Sequence, residues 1–410
     1  MTNPPVSGRS ALAGLRVLDL GHQYAAANAG AILADLGADV VSVEHPQGNA
    51  IRTMLPKKDG QSMWWKVSQR NKTQVTLNLS SPQGGELLLR VAPEFDVLIE
   101  NFRPGTLEKW GIGPADLERA GANLTMVRVS GYGQSGPYRD RPGFGTIGEA
   151  MSGFAHMNGY PDGPPTFPST TLADGVASIW AVVGALAGRL ARLRDGAVRG
   201  VEVVDVALFE GLFRIVPTQI PTYQQTGVVQ KRPGNYLGDH GVLRNVYGSR
   251  DGRWIAVSAV GPVAIRRVMV AARADALVAE IDAGAMDARE TAAVEAFLGR
   301  CNAHLLAWSA AGDYAVLTTD LSAAGAVFSP IYSAADIVED AHYRARDDLV
   351  TVQDPELGAL TMQGVVPKFP EREHRVTHAG GERGRDNARF WGRHGLTPEA
   401  IARLRRDGVL

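Results

Sequence analysis

Cysteine is almost absent from the 410-residue sequence, which holds only Cys301. A lone thiol cannot close an internal disulfide, and no Cys or His positions fall at metal-ligand spacing, so neither a disulfide framework nor a metal site is expected. Cys301 itself reads as a structural residue of a helical segment. Charge of one sign is also lacking: 42 Lys and Arg against 43 Asp and Glu leave a formal net charge of −1. That balance argues against a general affinity for nucleic acid or anionic membrane. No uninterrupted apolar run approaches the ~18 residues that span a bilayer. The start, Met1-Thr-Asn-Pro-Pro-Val-Ser-Gly-Arg9, lacks the apolar segment of a signal peptide, which makes a cytoplasmic location the expectation. Internal repeats and low-complexity tracts are missing as well.

What is there is an ordinary globular composition, 45% hydrophobic and 21% charged, in a chain too long for one core. Leu12 to Leu20 reads as a strand, Ala25 to Leu36 as a small-residue helix, and Asp39 to Glu44 as a second strand. This βαβ unit implies a parallel sheet. Glu44 ends the second strand where a dinucleotide-binding domain carries its ribose-binding acid. The preceding turn, Gly21-His22-Gln23-Tyr24-Ala25, is however not a G-x-G-x-x-G loop, so a nicotinamide or flavin reading is weak. Further strands are expected at Gln74–Leu79, Phe95–Glu100, Leu124–Ser130 and Val201–Val206. In a parallel sheet the loops after the strands line one edge, so the loops at 21–25, 45–49, 101–105 and 131–138 should converge. From Pro221 the sequence turns polar and glycine-bearing, as a linker with a mobile loop. The predicted organisation is α/β: residues 1–220 form the first part of a large parallel-sheet domain, 221–325 a smaller α+β domain, and 326–410 a connector that returns to the large one.

Asp174 stands immediately before a long apolar-periodic run. Ile179, Val182, Val183, Leu186 and Leu190 recur at helical spacing and predict a buried helix face. Asp174 is then an N-cap or first-turn residue, where free backbone N–H groups favour a carboxylate in its ionised, nucleophilic form. The local pattern alone reads first as a structural cap, Asp being among the commonest N-cap residues.

Several stretches in register resemble the class III CoA-transferase family: Leu12–Leu20, Leu36-Gly-Ala-Asp-Val-Val-Ser-Val-Glu44, Arg70-Asn-Lys-Thr73, Glu100-Asn-Phe-Arg-Pro-Gly105, the Gly131–Tyr138 turn and Leu172-Ala-Asp174-Gly175. The resemblance implies a Rossmann-like large domain, an inserted smaller domain and a homodimer of two interlocked chains. It implies that Asp174 is the nucleophile, which carries first an acyl group as a mixed anhydride and then CoA as an aspartyl thioester. No tightly bound cofactor is implied, and coenzyme A or acyl-CoA is a substrate alongside a free carboxylic acid, with di- or hydroxy-acids foremost. By position, His22, Tyr24 and Ala25 fall at the CoA-contacting turn, His45 where the family often has an arginine, and Asn101, Phe102 and Arg103 on the adenine and phosphate side. The loop with Gly234, Asn235, Gly238, His240 and Gly241 takes the place of the family's mobile glycine loop. Two departures bear on substrate choice: Tyr24 stands where formyl-CoA transferase has a glutamine, and Gly145 where many relatives have an acid. An α-methylacyl-CoA racemase or epimerase is the alternative within the family; such relatives place a His beside residues 143–145, where this chain has Gly143-Phe144-Gly145. A CoA-binding protein without turnover, with Asp174 only a cap, is the alternative of another class. Trp64 and Trp65 read as core or dimer contacts rather than an adenine platform.

Overall fold

The computed structural model describes residues 10–196, 199–237, 241–286 and 291–410. The chain divides into two compact units, one of Met1–Ala155, Phe167–Gly227 and Ala341–Leu410, the other of His156–Thr166 and Val228–Asp340. The second unit thus differs from the 221–325 range expected. Gln219–Thr226 is helical, closed by Gly227 in the left-handed region, where a linker was expected. Phe328–Pro330 pairs with Ile255–Val257, which keeps the chain beyond 325 in the second unit.

The first unit is built on six parallel strands: β1 (Arg16–Asp19), β2 (Asp39–Glu44), β3 (Thr73–Thr76), β4 (Val97–Glu100), β5 (Thr125–Ser130) and β6 (Glu202–Ala207), ordered β3-β2-β1-β4-β5-β6. The order reverses between β1 and β4, and a crevice opens at the carboxyl ends of such a pair. β4 is buried at every position, as suits a central parallel strand covered on both faces. One face carries α1 (Tyr24–Asp35) and, further along the chain, α4 (Leu172–Asp195). The other carries α2 (Pro82–Val91) and the C-terminal helices Asn387–Arg393 and Pro398–Arg406, which bring Phe390, Trp391, Ile401 and Leu404 into the core. Between α2 and α4 in the chain lies the short α3 (Gly145–Met151), and α5 (Leu208–Ile215) follows β6.

The packing of α4 divides the predicted face: Val182 is buried in the core and Leu186 packs against it, while the other three residues turn outward. Ile179, Val183 and Leu190 are 57%, 48% and 68% exposed, whereas Ala177, Ala181, Ala185 and Gly188 are buried. The cause lies in α1, whose Ala25, Ala26 and Ala29 share a core cluster with Ala177, Ala181 and Ala185. Two small-residue faces let helix axes approach closely, and that packing turns the bulky residues outward. The same helix has a mean hydropathy of 1.4 over an 18-residue window, long and apolar enough by composition to cross a membrane. Its uncharged run, between Asp174 and Arg189, is shorter than the helix itself. Here the helix packs on α1 and the sheet, and a core helix meets the same measure.

The Arg70–Thr73 landmark is a fastening. Arg70 pairs with Asp35, and Lys72 Nζ donates to Asp19 Oδ2 at 2.7 Å and to the Ala27 carbonyl at 2.6 Å, with both charged side chains fully buried. The other oxygen of Asp19 accepts the Gly21 N–H at 2.8 Å. A paired buried charge is costly to disrupt, so the turn after β1 is held in one shape.

The second unit has its own core, on an antiparallel sheet of β7 (Val242–Gly248), β8 (Trp254–Val260) and β9 (Phe328–Pro330) with the helix Thr291–Ala311 against it. Cys301 on that helix is fully buried, and burial pushes its thiol up to about 11, as befits a packing residue.

Candidate active site

Two cavities of the first unit meet at Asp174. The first, about 120 Å³, is lined by His22, Ala25, Asn101, Phe102, Arg103, Arg141 and Asp174, among others. The second meeting there, about 440 Å³, is lined by Tyr24, Trp64, Gly145, Thr146, Glu149 and Asp174, together with Ser169, Thr170 and Thr171. A further cavity of about 300 Å³ adjoins the first through His22 and Phe102 and continues past His45, Leu77, Leu79 and Trp110. The four loops after the strands therefore do converge.

The crevice between β1 and β4 sets the first of these walls. The His22 N–H donates to Asn101 Oδ1 at 3.0 Å, and the His22 ring stacks on Phe102 at 4.6 Å with 19° between planes. Burial holds the His22 imidazole below its ordinary range, against an opposing interaction with Asn101. The loop after β4 is anchored by Glu100: its Oε2 accepts the Phe102 N–H at 2.6 Å, and its Oε1 accepts from Arg128 Nε at 2.6 Å. Arg128 reaches on to Glu108 at 2.6 Å. Burial pushes Glu100 up to about 7 even with Arg128 beside it.

Glycines make the opposite wall. A Cβ on Gly131 would lie 2.8 Å from the Gly143 Cα, so the two turns touch through bare backbone. A Cβ on Gly145 would fall inside van der Waals contact of Asp174 Oδ2, which makes the missing side chain the space that the carboxylate occupies.

Asp174 lies in the first turn of α4, after the N-cap Thr171. Its carboxyl is nevertheless pushed up to about 6, by burial first and by the neighbouring Glu149 second. The backbone at the helix start does favour the ionised form, as expected, but two larger effects oppose it. The Ala173 N–H at that start goes to Glu149 Oε1 at 3.3 Å, and the burial and like charge outweigh what the helix end supplies.

The remaining sequence candidates fall as follows. Ala25 is buried in the first cavity, and its carbonyl accepts from Ser178 at 2.8 Å. His45 lines the cavity shared with Phe102, its Nδ1 accepting the Gln47 N–H at 3.1 Å. Tyr24 lines the cavity with Glu149, on the other side of Asp174 from His22, and packs edge-on against Trp64 at 4.7 Å. Glu44 is paired with Arg52, which also stacks 3.6 Å from the Trp65 ring, so it is a structural acid. In the second unit, Asn235 donates to the Tyr160 hydroxyl at 3.1 Å, and Gly234 and Gly241 both take positive φ. Gly238 and His240 lie outside the described residues. Sequence reasoning missed Glu149 and the wall role of Trp64. The signal for Glu149 was its place four residues after Gly145, on the same helix face. Among the described residues no group of three or more His, Cys, Asp or Glu is placed to hold a metal ion.

The first unit thus sets a carboxylate where two cavities meet, beside the switch point of a parallel α/β sheet. Residues 12–387 match the model of CoA-transferase family III, and the chain belongs to that family. It is 36% identical to a succinyl-CoA–D-citramalate CoA-transferase of Chloroflexus aurantiacus over 97% of each chain. It is also 36% identical to the beta subunit of a succinyl-CoA–L-malate CoA-transferase of the same organism, over 88% of each. The fold is that of a CaiB/BaiF family protein from Brucella suis, with a TM-score of 0.80 at 24% identity, covering 94% of this chain and 99% of that one. The protein is a family III CoA-transferase, acting on CoA thioesters and carboxylic acids.

Proposed function

We propose that Asp174 is the covalent carrier of a CoA transfer from succinyl-CoA to a hydroxy-dicarboxylic acid. A carboxylate oxygen of Asp174 attacks the thioester carbonyl, and the thiolate of CoA leaves, giving a mixed anhydride. The thiolate then attacks the aspartyl carbonyl of that anhydride and releases the donor acid as its carboxylate. The acceptor carboxylate attacks the aspartyl thioester, expelling thiolate and forming a second anhydride. Attack of thiolate on the acceptor carbonyl yields the new thioester and restores Asp174, with no net change in protons.

One observation carries this reading: among the described residues, Asp174 is the sole carboxylate lining both cavities that meet there. The thiol arm of CoA lies in the cavity of His22, Ala25, Asn101 and Arg103, and its adenine lies in the apolar slot between His45, Leu79, Phe102 and Trp110. The acids occupy the far side, against Tyr24, Trp64 and the Ser169–Thr171 segment, so Tyr24 is assigned to the acid rather than to CoA. The choice of donor and acceptor rests on the two Chloroflexus relatives, whose names give succinyl-CoA with citramalate or malate. Gly234, Asn235 and Gly241 keep the substrate-loop role that the family resemblance implies. The second unit is the smaller inserted domain, and two chains interlock as a homodimer, for which the outward apolar stripe of α4 is the supporting feature.

The test is mass spectrometry of the protein after mixing with succinyl-CoA, followed by hydroxylamine. The expected result is an adduct on the peptide that contains Asp174, converted to a hydroxamate, and loss of transfer to D-citramalate in Asp174→Ala. Wild-type transfer by that variant would sink the proposal.

A further inference from the structure

Glu149 lies on α3 one turn beyond Gly145, so both face the same way, and the gap at Gly145 is what admits Asp174. Its side chain is only 3% exposed, it lines the same cavity as Asp174, and among the described residues it takes part in no ion pair. Burying a carboxylate without a cation is costly, and a buried apolar or amide side chain would cost less there. The contact it does make is with the reactive end of α4, through the Ala173 N–H.

We infer that Glu149 is a positioning residue that acts through Asp174, taking up a helix-start N–H and setting a second negative charge beside the carrier, so that the Asp174 carboxylate stays unstabilised and reactive toward a thioester. The inference rests on Asp174 being that carrier. Other groups face Asp174 from each neighbouring element: Tyr24 from α1, apolar Leu208 from α5, His22 and Arg103 from the ends of β1 and β4, and Arg139 and Arg141 across the smaller cavity. Glu149 is the one acid among them, and a like charge is what holds a carboxylate against ionising. The upward direction of the Asp174 carboxyl follows burial first and Glu149 second, in agreement.

The experiment is the pH profile of kcat/KM for succinyl-CoA, with D-citramalate as acceptor, in wild type, Glu149→Gln, Glu149→Asp and Asp174→Asn, each checked by thermal melting. Glu149→Gln keeps an oxygen for the Ala173 N–H and removes the charge. The acid limb is expected near pH 6 in wild type, to fall by about one pH unit in Glu149→Gln, and to return toward wild type in Glu149→Asp. A merely structural role would lower the profile without moving the limb. An unmoved limb in Glu149→Gln, with Asp174→Asn inactive, overturns the inference alone. Wild-type transfer by Asp174→Asn overturns the carrier assignment and this inference together.

Discussion

Gly145 and Asp174 compete for one volume: the Asp174 carboxylate sits where a side chain on residue 145 would begin. The atom in the way is the end of the Asp174 side chain and not backbone, so the carboxylate is what has to move. Gly145→Ala should displace the carboxylate by an ångström or so, and misplacement on that scale costs on the order of 10²-fold in rate. The expected outcome is a fall of about that size in kcat for succinyl-CoA, with a melting temperature close to wild type. Unchanged kcat would mean that the carboxylate has room elsewhere.

Asp174 also has a stability consequence whose sign is fixed by its upward shift to about 6. A carboxyl whose folded pKa exceeds its unfolded value contributes stability at low pH that is lost as the pH rises through the folded value. Ionised Asp174 is therefore a burden above pH 6. Asp174→Asn should be inactive yet more stable at pH 7.5, by about 1–2 kcal/mol, and show no such gain at pH 4. Paired melting curves at the two pH values decide it, and an equal or lower melting temperature at pH 7.5 contradicts the account.

Glu100 joins the core to the loop of Asn101, Phe102 and Arg103. Glu100→Ala would free the Phe102 N–H and leave Arg128 with Glu108, which is on the surface. Loss of one partner of a buried pair costs about 3–5 kcal/mol, and the Glu108 contact brings the expectation to about 2–4 kcal/mol. Denaturant unfolding measures that loss, and KM for succinyl-CoA should rise in parallel as the His22–Phe102 stack loosens. A variant with wild-type KM and stability would remove the loop from this chain of support.

The strands of the parallel sheet were legible in the sequence because central strands are near-continuous apolar runs, as at Val97–Glu100. The meeting of the loops followed from that sheet. What could not be read was the direction in which α4 faces. Of its periodic apolar residues Val182 and Leu186 do face the core, whereas Ile179, Val183 and Leu190 do not, because the alanines of α1 select the small-residue face for close packing, a choice that depends on the partner helix. Glu149 was hidden for a related reason. Its importance depends on Gly145 leaving space and on Ala173 arriving opposite, which are relations across three segments. The upward push on Asp174 could not be read from its helix start, because it comes from burial and from a second carboxylate brought up by the fold.

The outward face of α4 gives the last prediction. Val183 and Leu190 are 48% and 68% exposed on one chain, and with Ile179 and Leu193 they form an apolar stripe along the helix. Water contact over several large side chains is unfavourable, about 25 cal/mol per Å², and a second copy of the chain is the occupant proposed here. Because these side chains take no part in the core of the first unit, Val183→Asp with Leu190→Asp should leave the sheet and its packing intact by circular dichroism. Light scattering should give twice the chain mass for wild type and a shift toward the single chain for the double variant, with loss of transfer if pairing completes the enzyme. A double variant that keeps the wild-type mass would place the pairing surface elsewhere, and a wild type that runs as a single chain would remove the dimer from the proposal.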